Sequence, residues 1–176
     1  MAYLADVRSL LGSLGASRRV IDTLDVGDVV LGDQDYAFLE PVRFDVTLTN
    51  TGGGFVATGS AKAHVRTQCV RCLCECELEV EAALDGFYVM PGREGEVPHE
   101  QEFGLIIDGT KVDIEPAVRQ AVILELPFAP VHDPGCKGIC PVCGADRNVE
   151  SCSCVAETVA SPFAALEGLE APGEDA

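Results

Sequence analysis

The sequence lacks the segments that mark membrane-spanning and secreted proteins. It has no run of about 18 apolar residues, so no membrane span is predicted. Its N-terminal stretch, MAYLADVRSLLGSLGASRRV, has no basic region ahead of an apolar core, which a signal peptide requires. We therefore expect a cytoplasmic protein whose thiols stay reduced, and we do not expect a disulfide framework.

The sequence also lacks catalytic motifs. It contains no glycine-rich phosphate loop and no candidate set of serine, histidine and aspartate for nucleophilic catalysis. The histidines number only three, at His64, His99 and His132. We therefore expect a protein that is not an enzyme and has no small-molecule substrate.

Basic residues are scarce. Lysine and arginine number 12 against 29 aspartates and glutamates, which gives a formal net charge of −17, and none of the 12 follows Arg147. A negative field of this size repels phosphate backbones and attracts cationic partners. A basic protein is the expected partner, and any RNA contact would need a local basic patch.

Alternating apolar and polar residues dominate the middle of the chain. Residues 42–49 and 55–68 are predicted to form two strands, because the alternation breaks at TGGG and then resumes. It continues over 77–90, where the glutamates lie opposite the apolar face.

Helices are predicted where apolar residues recur three or four positions apart. The first covers 3–14. The second lies within 112–127, where Asp113 can cap its start and Pro127 ends it. A short apolar helix is predicted over 159–169.

These elements predict an α+β fold: an antiparallel β-sheet with a few helices and a small Cys-rich zinc-knuckle segment near the C-terminus. We divide the chain into an α+β domain (1–130), a Cys-rich zinc-binding segment (131–160) and a short helix with an acidic tail (161–176).

The motif CVRC lies between two of the predicted strands. A hairpin folded about a two-residue turn at Arg71 and Cys72 places Cys69 and Cys72 at its tip, where two thiolates form half of a tetrahedral zinc site. Thiol-redox chemistry also uses C-x-x-C, but at a helix N-terminus, and here strand pattern lies on both sides. A structural zinc site is therefore favoured over a thiol-redox or metal-sensing function. Cys74 and Cys76 are interpreted as small strand residues.

The same hairpin predicts which charged residues face each other. The predicted pairs are Lys62 with Glu81, His64 with Glu79, and Arg66 with Glu77. Cross-strand opposite charges stabilise a sheet by about 0.2–1 kcal/mol each, so a ladder of ion pairs is the favoured interpretation. The alternative is an RNA-binding strip of Lys62, Arg66 and Arg71, in which Arg71 at the tip has no facing acid.

The stretch CKGICPVCGADRNVESCSC holds five of the nine cysteines, namely Cys136, Cys140, Cys143, Cys152 and Cys154. Within it, CPVCG has the form of a zinc knuckle. Its glycine permits the positive φ that turns backbone N–H groups towards the thiolates. Structural zinc is predicted, and an iron–sulfur cluster is the alternative metal centre.

Two ligand sets are open. A local site would use Cys140, Cys143, Cys154 and either Cys136 or Cys152. A long-range site would join the Cys140/Cys143 knuckle to Cys69 and Cys72, and so clamp the segment after the helix onto the hairpin tip. The local site is favoured because closing a short loop costs less entropy. His132 is close enough in sequence to be a ligand but is interpreted as a surface residue.

Three stretches resemble one known family. GSAKAHVRTQCVRCL, then VDIEPAVRQAVILELPFAPVHDPGCKGICPVCGADRN, then SPFAAL resemble the YceD family of large ribosomal RNA subunit accumulation proteins, over roughly residues 55–170. Two departures matter: this chain has His132 where many relatives carry a cysteine, and some relatives lack most of the second cluster. The resemblance implies that zinc stabilises this branch and is not the shared activity.

The resemblance implies a role in accumulation of large-subunit ribosomal RNA and in assembly of that subunit. It also implies an association with a small zinc-bearing protein of the large subunit. Together with the acidic charge, this predicts a basic large-subunit ribosomal protein or a ribosomal RNA precursor as the partner. Phe163 and Leu166 of the C-terminal helix are candidate contacts to that partner, although packing on their own domain is the favoured alternative.

Overall fold

A computed structural model describes residues 2–96 and 102–155. The strands are β1 (Leu4–Asp6), β2 (Ser17–Leu24), β3 (Val29–Leu31), β4 (Gln34–Phe38), β5 (Val42–Asn50), β6 (Gly54–Gln68), β7 (Glu75–Val89), β8 (Gly104–Leu105) and β9 (Lys111–Asp113). Helix α1 covers Glu115–Glu125, and 3₁₀ turns cover Arg8–Leu10 and Glu94–Glu96. The fold is mostly antiparallel sheet, and the described part of the chain has fewer helices than the α+β prediction assumes.

Strand β6 organises the main sheet. On one side it pairs with β5 and then with β4, and on the other it pairs with β7 along its whole length. Strands β2 and β3 extend the sheet beyond β5 and β4, and the short β8 pairs in parallel with the end of β7. Strands β1 and β9 form a separate two-stranded sheet.

The β5–β6–β7 meander confirms the strands predicted from alternation. Every second side chain of a strand points to the same face, so alternating sequence buries one face. The buried face includes Phe44, Leu48, Phe55, Val65 and Leu84. Strand β2 is not predicted from alternation, because its sequence SRRVIDTL does not alternate. Only its last residue is buried in the structure.

Helix α1 packs on the buried face of β6 and β7. Its buried residues are Val118, Ala121 and Val122, which confirms the predicted helix and its apolar face. Gly86 of β7 lies under the helix, where an added Cβ would come within 3.3 Å of the Ala117 Cβ. A small residue at this point lets the helix lie close to the sheet.

Asp113 is not the N-cap residue of α1, which is Ile114. Its carboxylate instead accepts the backbone N–H of Glu115 and that of Tyr3, each at 3.1 Å. Asp113 therefore stabilises the helix start from one position earlier and joins it to the N-terminal segment.

The predicted helix over 3–14 is wrong. Strand β1 pairs with β9 instead, and the Val7 N–H donates to the carbonyl of Thr110 at 2.9 Å. Leu14 of the predicted apolar face is 78% exposed. The backbone N–H and C=O groups of this segment find their hydrogen-bond partners in a distant strand. The helical spacing of its apolar residues therefore does not determine its structure.

None of the helices in the described residues has the length and apolar character needed to cross a membrane. The predicted helix over 159–169 lies outside the described residues.

Candidate metal centres

The turn between β6 and β7 holds the first two cysteines. The Cys69 N–H donates to the Cys74 carbonyl, and the Leu73 N–H donates to the Cys69 carbonyl, both at 2.9 Å. Leu73 has a φ of 61°, which a non-glycine residue adopts only in a tight turn. The turn is therefore longer than the predicted two residues. It leaves Cys69 and Cys72 buried.

The segment after α1 runs alongside this turn. The Val70 N–H donates to the Pro130 carbonyl and the Ile139 N–H donates to the Arg71 carbonyl, both at 2.9 Å. Gly138 has a φ of 70°, and an added Cβ would lie 2.9 Å from the Arg71 carbonyl oxygen. Glycine is needed there both for the backbone angle and for the close approach.

Arg71 has partners within the chain. Its Nη1 donates to the carbonyl of Cys136 at 3.1 Å and to that of Pro134 at 3.3 Å. Arg71 has no acidic partner among the described residues, as predicted, but its guanidinium is not free, because it hydrogen-bonds the segment that docks on the turn. A contact from Arg71 to another molecule remains a prediction.

A first group of potential ligands, the hairpin cluster, consists of Cys69, Cys72, His132 and Cys136. One ligand atom from each lies within 4.8 Å of the others. The sulfurs of Cys69 and Cys136 are 3.9 Å apart, and the Cys72 sulfur lies 3.3 Å from His132 Nδ1. Thiolates bound to one tetrahedral zinc ion at about 2.3 Å would be separated by about 3.8 Å, so this spacing suits a metal ion.

A second group, the knuckle cluster, consists of Cys140, Cys143, Cys152 and Cys154. Their sulfurs also lie within 4.8 Å of one another. The Cys140 N–H donates to the Ala145 carbonyl at 2.8 Å, and the Gly144 N–H donates to the Cys140 carbonyl at 2.9 Å. Gly144 has a φ of 74°, which confirms the positive angle predicted for the glycine of CPVCG.

The family model of the large ribosomal RNA subunit accumulation protein YceD matches residues 57–170. This span covers more than half of the chain and includes both clusters. The chain belongs to the YceD family.

This YceD-family chain is similar to uncharacterized mycobacterial proteins. Those of Mycobacterium tuberculosis and Mycobacterium bovis are 37% identical to it over 101 residues, which is 57% of this chain and 48% of theirs. One from Mycobacterium leprae is 32% identical over 111 residues, which is 62% of this chain and 51% of its own. The chain thus spans about half the length of these relatives. No solved structure matches it.

In the hairpin cluster of this YceD-family chain, the pKa values of two thiols are shifted in opposite directions. Burial raises the pKa of Cys69, but hydrogen bonds from the Cys72 backbone and from His132 outweigh it and lower that pKa to about 5. The hydrogen bond with the Cys74 thiol raises the pKa of Cys72 to about 12. One thiolate therefore forms readily, while a second beside it requires a neutralising charge.

The knuckle cluster repeats this pattern. Hydrogen bonds from the backbone N–H groups of Cys143 and Val142 lower the pKa of Cys140 to about 6. The hydrogen bond with Cys143 raises the pKa of Cys154 to about 12. A bound cation favours thiolates over thiols, so each cluster has the electrostatics of a site that a metal ion can complete.

The predicted local set, in its version with Cys152, coincides with the knuckle cluster, whereas the predicted long-range set, which joins Cys140 and Cys143 to Cys69 and Cys72, matches neither group. Cys152, and not Cys136, joins Cys140, Cys143 and Cys154. The hairpin tip does contact the segment after the helix, but through Cys136 and His132 instead of the knuckle. Both clusters could hold a metal ion. Which residues bind one remains a prediction.

The positions of His132, a member of the hairpin cluster, and of Cys74 beside it differ from what the sequence predicts. His132 is exposed, but its Nδ1 faces the Cys72 sulfur, so it is more than a surface residue. The family resemblance could have placed it there, because it implies a cysteine at the position of His132 in other members. Cys74 also has a neighbour, since its sulfur lies 3.1 Å from that of Cys72.

The hairpin register is confirmed. The facing pairs are Lys62 with Glu81, His64 with Glu79, and Arg66 with Glu77. The Lys62 ammonium lies 3.1 Å from Glu81, and the Arg66 guanidinium lies 3.0 Å from Glu77, which His64 also approaches at 3.4 Å instead of its facing Glu79. Exposed pairs of this kind contribute about 0–1 kcal/mol each. An RNA contact through Lys62, Arg66 or Arg71 remains a prediction, as do contacts through Phe163 and Leu166, which lie outside the described residues.

Proposed function

We propose that this protein is a non-enzymatic, cytoplasmic assembly factor that supports accumulation of large-subunit ribosomal RNA and assembly of the large ribosomal subunit. The observation that carries the proposal is the match of residues 57–170 to the family described by that role. The chain spans about half the length of the curated relatives that it matches, so the proposal concerns the role of the whole protein.

The second part of the proposal is that both clusters bind structural Zn²⁺. Cys69, Cys72, His132 and Cys136 would hold one ion, and Cys140, Cys143, Cys152 and Cys154 the other. Four protein ligands leave no open coordination position, so the metal supplies stability and not catalysis. The ligand types favour this reading, since sulfur and imidazole donors in tetrahedral sets suit zinc.

The hairpin cluster gives zinc a defined mechanical role. Two of its members lie on the β6–β7 turn and two on the segment after α1, so an ion held by all four would fasten that segment to the hairpin. The hydrogen bonds from Val70, Ile139 and Arg71 hold the same two elements together. The proposed ion therefore completes an interface that the polypeptide already forms.

The partner that this protein would bind is a basic protein of the large ribosomal subunit. The net charge of −17 supports it, because complementary charge raises the rate of encounter and disfavours partners of like charge. A ribosomal RNA precursor is the less favoured partner, since Lys62, Arg66 and Arg71 each engage acceptors within the chain.

The test is deletion of the gene in its own host, followed by measurement of the ratio of large-subunit to small-subunit ribosomal RNA and of the subunit profile. We expect a lower ratio and fewer large subunits, both restored by the wild-type gene. An unchanged ratio and profile would contradict the proposed function.

A further inference from the structure

Strand β7 has one edge without a strand partner over most of its length. β6 pairs with one side of β7 from Glu75 to Val89, whereas β8 pairs with the other side only at Tyr88 and Val89. Within residues 2–96 and 102–155, no strand covers the free edge before Tyr88. Such an edge presents unpaired N–H and C=O groups that can receive another strand.

The hydrogen-bond pattern shows which residues face this edge. The Cys69 N–H donates to Cys74 at the start of the hairpin, so even-numbered residues of β7 direct their peptide groups to β6. At the other end, the Val89 carbonyl accepts the Ile106 N–H from the opposite side at 2.9 Å. The residues that face the free edge are therefore Glu75, Glu77, Glu79, Glu81, Ala83, Asp85 and Phe87.

Two cavities border this edge. One of about 620 Å³ lies between Ala83–Tyr88 of β7, residues 102–104 and helix α1. The other, of about 290 Å³, lies between residues 78–81 and the end of the helix at Glu125 and Pro127. Among residues 2–96 and 102–155, helix α1 is therefore separated from the edge by these cavities and does not cover it.

Both cavities are acidic with apolar patches. Their lining residues include Glu79, Glu81, Asp85, Glu102, Asp113 and Glu125 and no basic residue. Glu79, Asp85 and Glu125 form no salt bridge within the part of the chain that the structure describes. Leu124 and Phe103 line the larger cavity together with Asp85 and expose 75% and 40% of their surface.

We propose that the free edge of β7 binds an extended lysine- or arginine-rich segment of a protein partner as an additional β-strand. Backbone hydrogen bonds to the edge would provide affinity, and alternate side chains would provide specificity. Basic side chains on one face would meet Glu79, Glu81 and Asp85, while apolar side chains on the other would contact Leu124. This inference rests on the proposed function in that it gives the basic partner a docking surface.

Charge selects this occupant over the others. A second copy paired through the same edge would bring acidic residues of β7 against each other, and like charges opposite one another destabilise a sheet. An RNA strand would bring phosphates against the same carboxylates. A basic polypeptide is the occupant that satisfies both the peptide groups and the charge.

The test uses the full-length, metal-loaded protein and a fluorescent peptide of about nine residues in which lysine and valine alternate, a typical strand length. A control peptide carries methyl groups on alternate backbone nitrogens, so that it keeps its charge but cannot pair. Ala83→Pro removes the backbone N–H that points away from β6 towards the free edge. Edge strands tolerate proline at such a position. Ala83→Val is the matched control, because it keeps that N–H.

We expect binding to the wild type and to Ala83→Val, a Kd about tenfold higher for Ala83→Pro, and little binding of the methylated peptide. Backbone amides of Glu79, Glu81, Ala83 and Asp85 should exchange more slowly with deuterium when the peptide is bound. If Ala83→Pro fails to fold, Glu79→Lys with Asp85→Lys replaces it. Asp33→Lys with Asp35→Lys in the β3–β4 hairpin makes the same change of net charge and is the control for charge alone.

Three results would overturn the inference: equal binding of the methylated peptide, wild-type affinity of the edge variants, or protection of the same amides by an RNA oligonucleotide or by self-association without peptide. The result is separable from the proposed function. Peptide binding that depends on the edge, with an unchanged ribosomal RNA ratio after gene deletion, would refute the function and leave the docking surface standing.

Discussion

The side-chain amide of Asn148 donates a hydrogen bond to the sulfur of Cys136, with 3.4 Å between Nδ2 and Sγ. Its Oδ1 accepts the backbone N–H of Lys137 at 2.8 Å. Asn148 lies in the loop between Cys143 and Cys152 of the knuckle cluster, whereas Cys136 belongs to the hairpin cluster. One side chain therefore joins the loop of one cluster to a potential ligand of the other.

Replacing Asn148 with alanine should weaken metal binding at the hairpin cluster. Partners that hydrogen-bond a metal ligand orient it, and losing one costs about tenfold or more in metal affinity. Competition with a chromophoric chelator would measure the affinity of each site. Arg147→Ala is the matched control, since it is the adjacent exposed residue. An equal loss in Arg147→Ala, or no loss in Asn148→Ala, would contradict this role.

The purified chain should contain two zinc ions, one for each group of four ligands. Cys69→Ser with Cys72→Ser should remove one ion, and Cys152→Ser with Cys154→Ser should remove the other. Elemental analysis together with protein quantification measures the stoichiometry.

Cys76→Ser, outside both groups, serves as the control for these pairs and should retain both ions. A hairpin double variant that also retains both would show that the metal lies elsewhere, and iron with sulfide in the preparation would support the iron–sulfur alternative.

Arg71→Ala should destabilise the folded protein by about 1–2 kcal/mol, because it removes the hydrogen bonds to the carbonyls of Cys136 and Pro134. Urea denaturation of the metal-loaded protein measures the free energy of unfolding. Lys62→Ala removes only an exposed ion pair and should cost less than about 1 kcal/mol. Unchanged stability of Arg71→Ala with loss of RNA binding would instead favour the RNA-contact interpretation of Arg71.

Gly138→Ala should destabilise the docked segment more than Gly144→Ala does. Both glycines have positive φ, which costs a side chain about 1–2 kcal/mol. Only at Gly138 would the new Cβ also press on a carbonyl, that of Arg71 at 2.9 Å, whereas Gly144 has open space. Comparing the two unfolding free energies isolates the effect of the contact, and equal values would argue against close docking of the segment on the turn.

Several elements follow from local sequence because their signal is local. Alternation predicts β5, β6 and β7, since a one-residue shift would turn every apolar side chain of a strand to the wrong face. The same constraint explains why the pairing of Lys62 with Glu81 is predictable, even though the turn at the tip is longer than predicted. Helix α1 is predicted because its apolar spacing, its proline near the start and Pro127 after its end agree.

Other features depend on contacts between segments that are distant in sequence. Residues 3–14 have helical spacing, yet β1 pairs with β9, about a hundred positions away along the chain. Loop entropy favours the nearest cysteines as partners, but closing a longer loop costs only about 0.6 kcal/mol for each doubling of its length. The hydrogen bonds between the β6–β7 turn and residues 130–139 outweigh a cost of that size and place Cys136 with Cys69.

The sequence by itself determined the β5–β6–β7 meander, helix α1 and the two cysteine-rich segments, because each depends on residue spacing within one segment. Only the tertiary structure decided which cysteines meet, that Arg71 hydrogen-bonds the segment after α1, and that no strand of the described residues covers one edge of β7 before Tyr88. The first two outcomes depend on the docking of the segment after α1 on the β6–β7 turn, and the third depends on the short pairing of β8 with β7. These are contacts between segments distant in sequence, which no local residue pattern determines.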